Sequence, residues 1–378
     1  MCRQSTLIRT ALVLGFSFSY AWPLPAASGA VTQAASTAKT RVAVVGLDHD
    51  HVWELLKHMS TEPEAELVGI ADQHPALVER AKALVPASVR FYSDYIRMLD
   101  ETKPHAVFVT TENDRHLEIL RECAKRHIHY SVEKPMATNA ADAREMERLA
   151  EQSGIKVMVN YWNAWVAPSH ELFRRVRNGD IGPIRKMIIE YGHQGPKEIG
   201  VSPYFADWLY DPVKNGGGAI VDFGCYGAEW AVWLKGRPTR VFATSLKLKT
   251  EQHNRVDDDA TIVLEYPDAN VVIEASWDWP YGMDQVQVFG NKGSLIADSD
   301  KLFYRSAETR ESASLEGEPV KVEALARDGS NPVAYFLNRI RTNAPVEDPV
   351  SARLNVQVVE ILSAAQASLA SGHAEELH

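Results

Sequence analysis

Cysteine is scarce, and its scarcity removes two ways of holding a fold together. Cys2, Cys123 and Cys225 are the only three, with neither paired spacing nor metal-ligand spacing, so no disulfide framework and no cysteine metal site is expected. Cys123 and Cys225 read as buried thiols. Positive charge is in deficit as well. Lys plus Arg number 40 against 50 Asp plus Glu, for a formal net charge of −10. No Lys/Arg block interleaved with aromatics occurs, which argues against nucleic acid as a partner. The apolar run Ala11 to Ala21 is too short to cross a bilayer, so no stable membrane span is expected. No internal repeat is visible. Missing too, after the first strand-like run, are two of the three glycines of a phosphate loop.

What is present is a chain of 378 residues with 45% hydrophobic content, enough for sizeable cores and for two domains rather than one. The first forty residues read as an export signal. Arg3 and Arg9 precede the run Ala11 to Ala21, Pro23 and Pro25 break it, and an Ala/Ser/Thr-rich stretch follows. Ser28-Gly29-Ala30 and Ser36-Thr37-Ala38 are candidate cleavage sites. Residues 1–38 are therefore assigned to a signal or disordered segment and the protein to the periplasm or the exterior. Without an adjacent arginine pair, the signal is of the general secretory type. A disordered extension from a misplaced start codon is the plainer alternative.

From Arg41 onward, short β-branched runs alternate with helical stretches. Arg41 to Val45, Glu66 to Ala71, Ala106 to Thr110, Ile128 to Val132 and Lys156 to Val159 read as strands. Val52 to Met59, Pro75 to Val85, His116 to Arg126 and Ala140 to Gln152 read as helices. Such alternation predicts a doubly wound parallel sheet, a Rossmann domain over residues 39–160. Beyond Tyr161 alternating strands follow one another with few helices between them, predicting an α+β domain over 161–378 with a large, mostly antiparallel sheet. Ala352 to Ser371 reads as its closing helix.

Two motifs carry the chemistry. Glu133-Lys134-Pro135 ends an apolar strand and places an amine where proline stops the chain. Asn215-Gly216-Gly217-Gly218 precedes Asp222 and Tyr226, a carboxylate and a phenol at i and i+4, positions that share one face of a helix. With the N-terminal βαβ pattern, their order resembles the Gfo/Idh/MocA family of nicotinamide-dependent sugar and polyol oxidoreductases, over about Arg41 to Gly372. Asp-x-Gly-x-Tyr resembles the branch of glucose–fructose oxidoreductase and the dihydrodiol dehydrogenases.

The resemblance implies an NAD(P)-dependent oxidoreductase acting on CH–OH groups, with Lys134, Asp222 and Tyr226 around the reacting hydroxyl and tyrosine as proton donor and acceptor. Tyrosine's ordinary pKa near 10 would then have to be lowered by Lys134 or by the oxidised nicotinamide. Gly46, Leu47, Asp48 and His49 form the altered phosphate loop, and Thr110, Asn113 and His116 match the family's loop after the third sheet strand. Glu133 and Lys134 lie near the nicotinamide ribose. Asp72, closing the second strand, can accept from the adenosine ribose and would repel a 2′-phosphate, favouring NAD over NADP. A charged Asp48 about 5 Å from a phosphate would cost roughly 3 kcal/mol at an effective dielectric near 20, unless a proton, a cation or a displaced side chain intervenes.

Aromatics crowd the second motif. Trp162, Asn163 and Trp208 are candidate sugar contacts, since tryptophan offers a flat apolar face to a sugar ring. The substrate is expected to be a small carbohydrate. His49 and His51, with Asp48 and Asp50, could hold a cation, but no third ligand at suitable spacing is visible, so no metal is assigned. The family resemblance implies a homo-oligomer. Two other readings stay open: an NAD-assisted glycoside hydrolase or lyase that recycles its cofactor, and a sugar-binding member that has lost the dinucleotide.

Overall fold

The computed structural model describes residues 38–249, 255–308 and 317–377. The export reading, apart from Ala38, lies outside them. Among the described residues no helix is long and apolar enough to cross a membrane.

Six strands form the first sheet: β1 (Thr40–Val45), β2 (Ala65–Ala71), β3 (Arg90–Tyr92), β4 (Ala106–Val109), β5 (His129–Glu133) and β6 (Val157–Asn160). Their order is β3-β2-β1-β4-β5-β6 and every pairing is parallel. Val42 to Val45 and all of β4 are buried, as expected of parallel strands covered on both faces and therefore written as continuous apolar runs rather than alternations. Helices α1 (Val52–Thr61), α2 (Pro75–Lys82), α3 (Tyr95–Thr102), α4 (His116–Lys125) and α5 (Ala140–Ser153) connect them. The strand order reverses between β1 and β4. Carboxyl ends at such a reversal leave the crevice in which open α/β sheets bind ligands.

After α6 (Ala167–Asn178), a second sheet of nine strands is built from β7 (Ile184–Gly192), β8 (Arg240–Leu246), β9 (Asp259–Tyr266), β10 (Ala269–Ser276), β11 (Met283–Gly290), β12 (Gly293–Asp298), β13 (Lys301–Ser306), β14 (Glu318–Pro319) and β15 (Glu375–Glu376), in the order β14-β13-β12-β11-β7-β10-β9-β8-β15. Only β7 and β10 pair in parallel. Here the period-2 pattern holds: Ala260, Ile262, Leu264 and Tyr266 of β9 are buried and alternate with half-exposed neighbours. Three helices fall between β7 and β8 in the chain: α7 (Pro203–Leu209), α8 (Ala219–Asp222) and α9 (Gly224–Lys235). The C-terminal helices α10 (Pro332–Thr342) and α11 (Ala352–Ser371) return toward the first sheet. The Val159 amide donates to Val350 O at 3.0 Å, tying β6 to the segment before α11.

The sequence did not announce every element. β3 is three residues long, too short to show a period. Asp222 and Tyr226 do not share one helix, because the chain breaks at Phe223 between α8 and α9. The start of the short helix α8 is held separately: Asp257 accepts from the Gly218 amide at 2.9 Å and the Ile220 amide at 2.7 Å, capping this single turn from a segment far along the chain.

Gly227 shows how tightly α9 sits on the sheet. A Cβ there would meet Ile273 of β10, with Cγ1 at 2.8 Å and Cβ at 3.0 Å, and Ile273 is fully buried. Helix propensity favours alanine by about 1 kcal/mol, whereas overpacking costs about 1–3 kcal/mol. Gly227→Ala is therefore expected to lower the urea midpoint. An unchanged or raised midpoint would show that the helix can lift off the sheet at little cost.

Candidate active site

β1 delivers the chain to Gly46, which turns with φ +87°. A Cβ there would lie 2.6 Å from Thr110 O, so only glycine lets this loop run against the one after β4. Thr110 Oγ1 donates to Gly46 O at 2.7 Å. At the end of β2, Asp72 Oδ2 accepts the Leu47 amide at 2.6 Å, and Oδ1 accepts the His74 amide at 2.6 Å. Between these strand ends lies a cavity of about 150 Å³ lined by Gly46, Asp48, Asp72, Tyr95, Glu112 and Arg115 among others.

Asp48 occupies the place of the second glycine. It is buried, and burial, reinforced by the neighbouring carboxylates of Glu112 and Asp72, pushes its carboxyl up to about 8. The charge penalty anticipated above assumed an ionised side chain. A neutral one carries a proton, and Asp48 Oδ1 has no hydrogen-bond partner.

The loop after β4 is braced rather than open. Asn113 Nδ2 donates to Asn215 Oδ1 at 2.8 Å and to Asn215 O at 3.2 Å. His116 is fully buried between Met136 O (3.2 Å) and Thr111 O (3.4 Å), and burial pushes its imidazole down to about 4. These residues fix the loop's position from behind. Segment 202–215 closes over it from the second sheet: the Ser202 amide donates to Asp50 Oδ2 at 2.6 Å, and Lys214 Nζ lies 3.2 Å from Glu112 Oε1. Phe205 and Trp208 of α7 lie against the buried His49 ring at 4.2 and 5.6 Å. Trp208 Nε1 is buried without a partner.

Beside His49, His51 Nδ1 lies 3.0 Å from Glu133 Oε2, and Asn160 Nδ2 donates to Glu133 Oε1 at 2.6 Å. Glu133 is thus the third group that sequence spacing could not supply to the two histidines. His51 and Asn160 line a cavity of about 380 Å³ together with Trp162, Trp165, His58 and Pro332. Trp162, half exposed there, is accessible to a ligand. Asn163 is not, being buried with Nδ2 3.1 Å from Glu229 Oε2.

Lys134 and Asp222 form a buried ion pair. Lys134 Nζ bonds Asp222 Oδ1 and, at 3.1 Å, Asp222 O. Trp277 Nε1 donates to Asp222 Oδ2 at 3.0 Å. Burial alone would neutralise both groups, but their mutual attraction wins: the amine is held above and the carboxyl below its ordinary value. The phenol of Tyr226 is a different case. Lys134 Nζ stands over the ring face, 4.9 Å from its centroid, and the ring stacks on Tyr191 at 4.8 Å with Tyr161 edge-on at 5.3 Å. Burial raises this phenol well above its ordinary value. The expected lowering by Lys134 does not occur, because the ammonium meets the π face and not the oxygen.

A better-placed group is His193, at the end of β7 and partly exposed. Its Nδ1 accepts the Gly195 amide at 2.9 Å, which leaves the proton of the neutral ring on Nε2. Phe223 separates it from Lys134, 4.9 Å from the His193 ring and 5.9 Å from Lys134 Nζ.

The family of this arrangement is established by comparison. Residues 40–161 match the model described as an oxidoreductase family with NAD-binding Rossmann fold, and residues 170–296 match the Gfo/Idh/MocA C-terminal domain. The chain belongs to the Gfo/Idh/MocA oxidoreductase family. Among curated proteins it is 26% identical over 213 residues to myo-inositol 2-dehydrogenase of Thermotoga maritima, covering 55% of this chain and 60% of that protein. It is 26% identical over 178 residues to trans-1,2-dihydrobenzene-1,2-diol dehydrogenase of Macaca fuscata fuscata, covering 47% and 49%. The match thus spans about half of that diol dehydrogenase. Its fold resembles the aldose–aldose oxidoreductase of Caulobacter crescentus complexed with glycerol, with a TM-score of 0.75 at 21% identity over 90% of this chain and 100% of that one.

NAD is the cofactor of this Gfo/Idh/MocA domain, and the residues present fit it. The Gly46 turn admits close approach, Asp72 lines the same cavity just after β2, and the neutral Asp48 and Trp208 Nε1 are buried polar groups still lacking partners. A protonated Asp48 can donate to a phosphate oxygen that an ionised one would repel.

The buried charges generate two tests. Lys134→Met leaves Asp222 buried without its cation, at a cost of about 3–5 kcal/mol. Adding Asp222→Asn should restore most of that stability, and a double variant as unstable as the single one would rule out charge as the cause. Glu229 is fully buried, and burial holds its carboxyl well above the usual range. The folded protein therefore keeps a proton that the unfolded chain releases above about pH 4.3. Its contribution is intact below that pH and falls by about 1.4 kcal/mol per unit as pH rises toward the folded value. Glu229→Gln should change Tm little near pH 4.5 and raise it progressively from about pH 5.5 to about pH 8. A pH-independent difference would refute the linkage.

Proposed function

We propose that this protein oxidises or reduces a hydroxyl-bearing carbon of a small polyol or sugar, with Lys134 at the reacting oxygen. The observation carrying this reading is the ionised Lys134–Asp222 pair, buried where the end of β5 meets α8. A stripped ion pair is costly unless its charge is used. When bound, NAD supplies the hydride acceptor or donor; the rest is work for the chain.

Lys134 keeps its proton at rest because Asp222 holds it charged, so it meets a bound carbonyl as an acid. As hydride reaches the carbonyl carbon, the ammonium stabilises the alkoxide forming on the oxygen and then gives that oxygen its proton, the amine being recharged from solvent; oxidation runs the same steps in reverse. Nε2–H of His193 provides a second donor across Phe223, while Trp277 and Lys134 keep Asp222 from rotating away. Tyr226 serves as a packed floor beneath the ammonium. The polyol or sugar class is supported by the diol and inositol dehydrogenases among the relatives and by the half-exposed Trp162. The latch of segment 202–215 over His49 favours a cofactor that stays bound between turnovers, as the recycled-cofactor reading requires.

The test begins with mass spectrometry of the dinucleotide released on denaturation, then a titration with NAD, then absorbance at the nicotinamide band against a panel of polyols and aldoses. Bound or readily bound NAD and turnover of a polyol are expected. The double variant Lys134→Met/Asp222→Asn should lose about 10²–10³-fold in kcat. Failure to bind NAD at millimolar concentration, or a double variant as active as the parent, would overturn this reading.

A further inference from the structure

We propose that His49, His51 and Glu133 form a site for one divalent transition-metal ion of the zinc class, opening onto the tryptophan-lined cavity. One ligand atom from each residue lies within 4.8 Å of the others. Two imidazoles and one carboxylate are the donor set of an open zinc site, where three protein groups leave a position for an oxygen ligand. The sequence supplies His49 and His51 at i and i+2. The fold supplies Glu133 from 82 residues further on, by ending β5 beside the N-terminus of α1.

Several features prepare these groups for a cation. Glu133 is buried, and its carboxylate is oriented by a chain of contacts: Asn160 Nδ2 holds Oε1 at 2.6 Å, and Trp165 Nε1 holds Asn160 Oδ1 at 2.8 Å. That leaves Oε2 facing His51. Hydrogen bonding to the distal oxygen of a metal-binding carboxylate is the kind of outer support on which affinity depends. The His49 ring is clamped between its neighbour His51, 4.4 Å away, and Phe205 at 4.2 Å. Its Nδ1 receives only a long bond, 3.2 Å from the His51 amide, which an ion can displace at little cost.

Charge also permits the site. The fixed cation that acts on His49 and Glu133, Lys134, is itself matched by Asp222, so the Glu133 carboxylate keeps its charge beside the two imidazoles. His51 also lines the cavity with Trp162 and Trp165, so oxygens of a ligand lying there, such as adjacent hydroxyls, can complete the coordination. The ion would then grip a polyol independently of the ammonium at Lys134.

The experiment is a titration of the metal-stripped protein with Co²⁺ alone, without NAD, followed by visible absorption and by elemental analysis of the dialysed protein. One ion per chain is expected, with d–d bands displaced by Zn²⁺. His51→Ala, at a partly exposed position, should keep the circular dichroism spectrum and weaken Co²⁺ at least about tenfold, and Glu133→Gln should do the same. Substoichiometric or featureless binding, or binding unchanged in His51→Ala, would overturn the site. Because the readout is the Co²⁺ spectrum and stoichiometry and not turnover or dinucleotide binding, either result is independent of the NAD reading.

Discussion

The ion pair of Lys134 with Asp222 is the constraint around which the rest of the molecule is arranged. Removing both charges from water costs several kcal/mol per ion, and an apolar pair of similar volume would often be at least as stable. The chain meets that cost with four further bonds: Trp277 Nε1 to Asp222, Lys134 to the Asp222 carbonyl, and the two amides of the Asp257 cap that fixes α8. They come from different parts of the chain. The pair thereby ties the carboxyl edge of the parallel sheet to the second sheet.

A second problem of charge lies a few residues away. Asp48, Glu112 and Asp72 line one small cavity, and three carboxylates so close cannot all stay ionised. The structure resolves this unequally. Glu112 stays below its ordinary value although burial opposes it, because its own amide, Lys214 and Arg115 favour the anion. At Asp48 burial and the charges of Glu112 and Asp72 outweigh the pull of Arg115, and it holds the proton. A residue that reads as damage to a phosphate loop becomes a neutral donor, provided that its neighbours remain charged. This is a property of the cluster and not of Asp48.

That distinction explains what the sequence could and could not disclose. Strand runs such as Val42 to Val45 and the helix Ala352 to Ser371 were legible because burial on two faces or one leaves a period in the sequence. The family motifs located Lys134 and Asp222 because their neighbours in sequence are also their neighbours in space. Three things escaped. Glu133 as a partner of His51, Asp257 as the cap of α8, and the fate of Tyr226 all depend on contacts between distant segments. Tyr226 is the clearest case: sequence predicts its proximity to Lys134, which is correct, but whether an ammonium faces the hydroxyl or the ring decides whether the phenol becomes more acidic or less. Asn163 fails similarly, since nothing in Trp162-Asn163 says which side chain faces the cavity and which faces Glu229.

The same reasoning bears on why histidines stand where a dinucleotide loop has small residues. Backbone amides of a glycine loop reach a phosphate only at close range. Side-chain donors reach further, so a phosphate engaged by Asp48 would sit further from β1 and nearer α7, whose Trp208 N–H is another buried donor without a partner. A loop that has given up close approach also has room for imidazoles. Space lost to the cofactor at His49 and His51 is space gained for coordination chemistry beside Glu133. The altered loop is thus consistent with a dinucleotide fold that holds its cofactor by side chains and carries a second, cationic hold on its ligand.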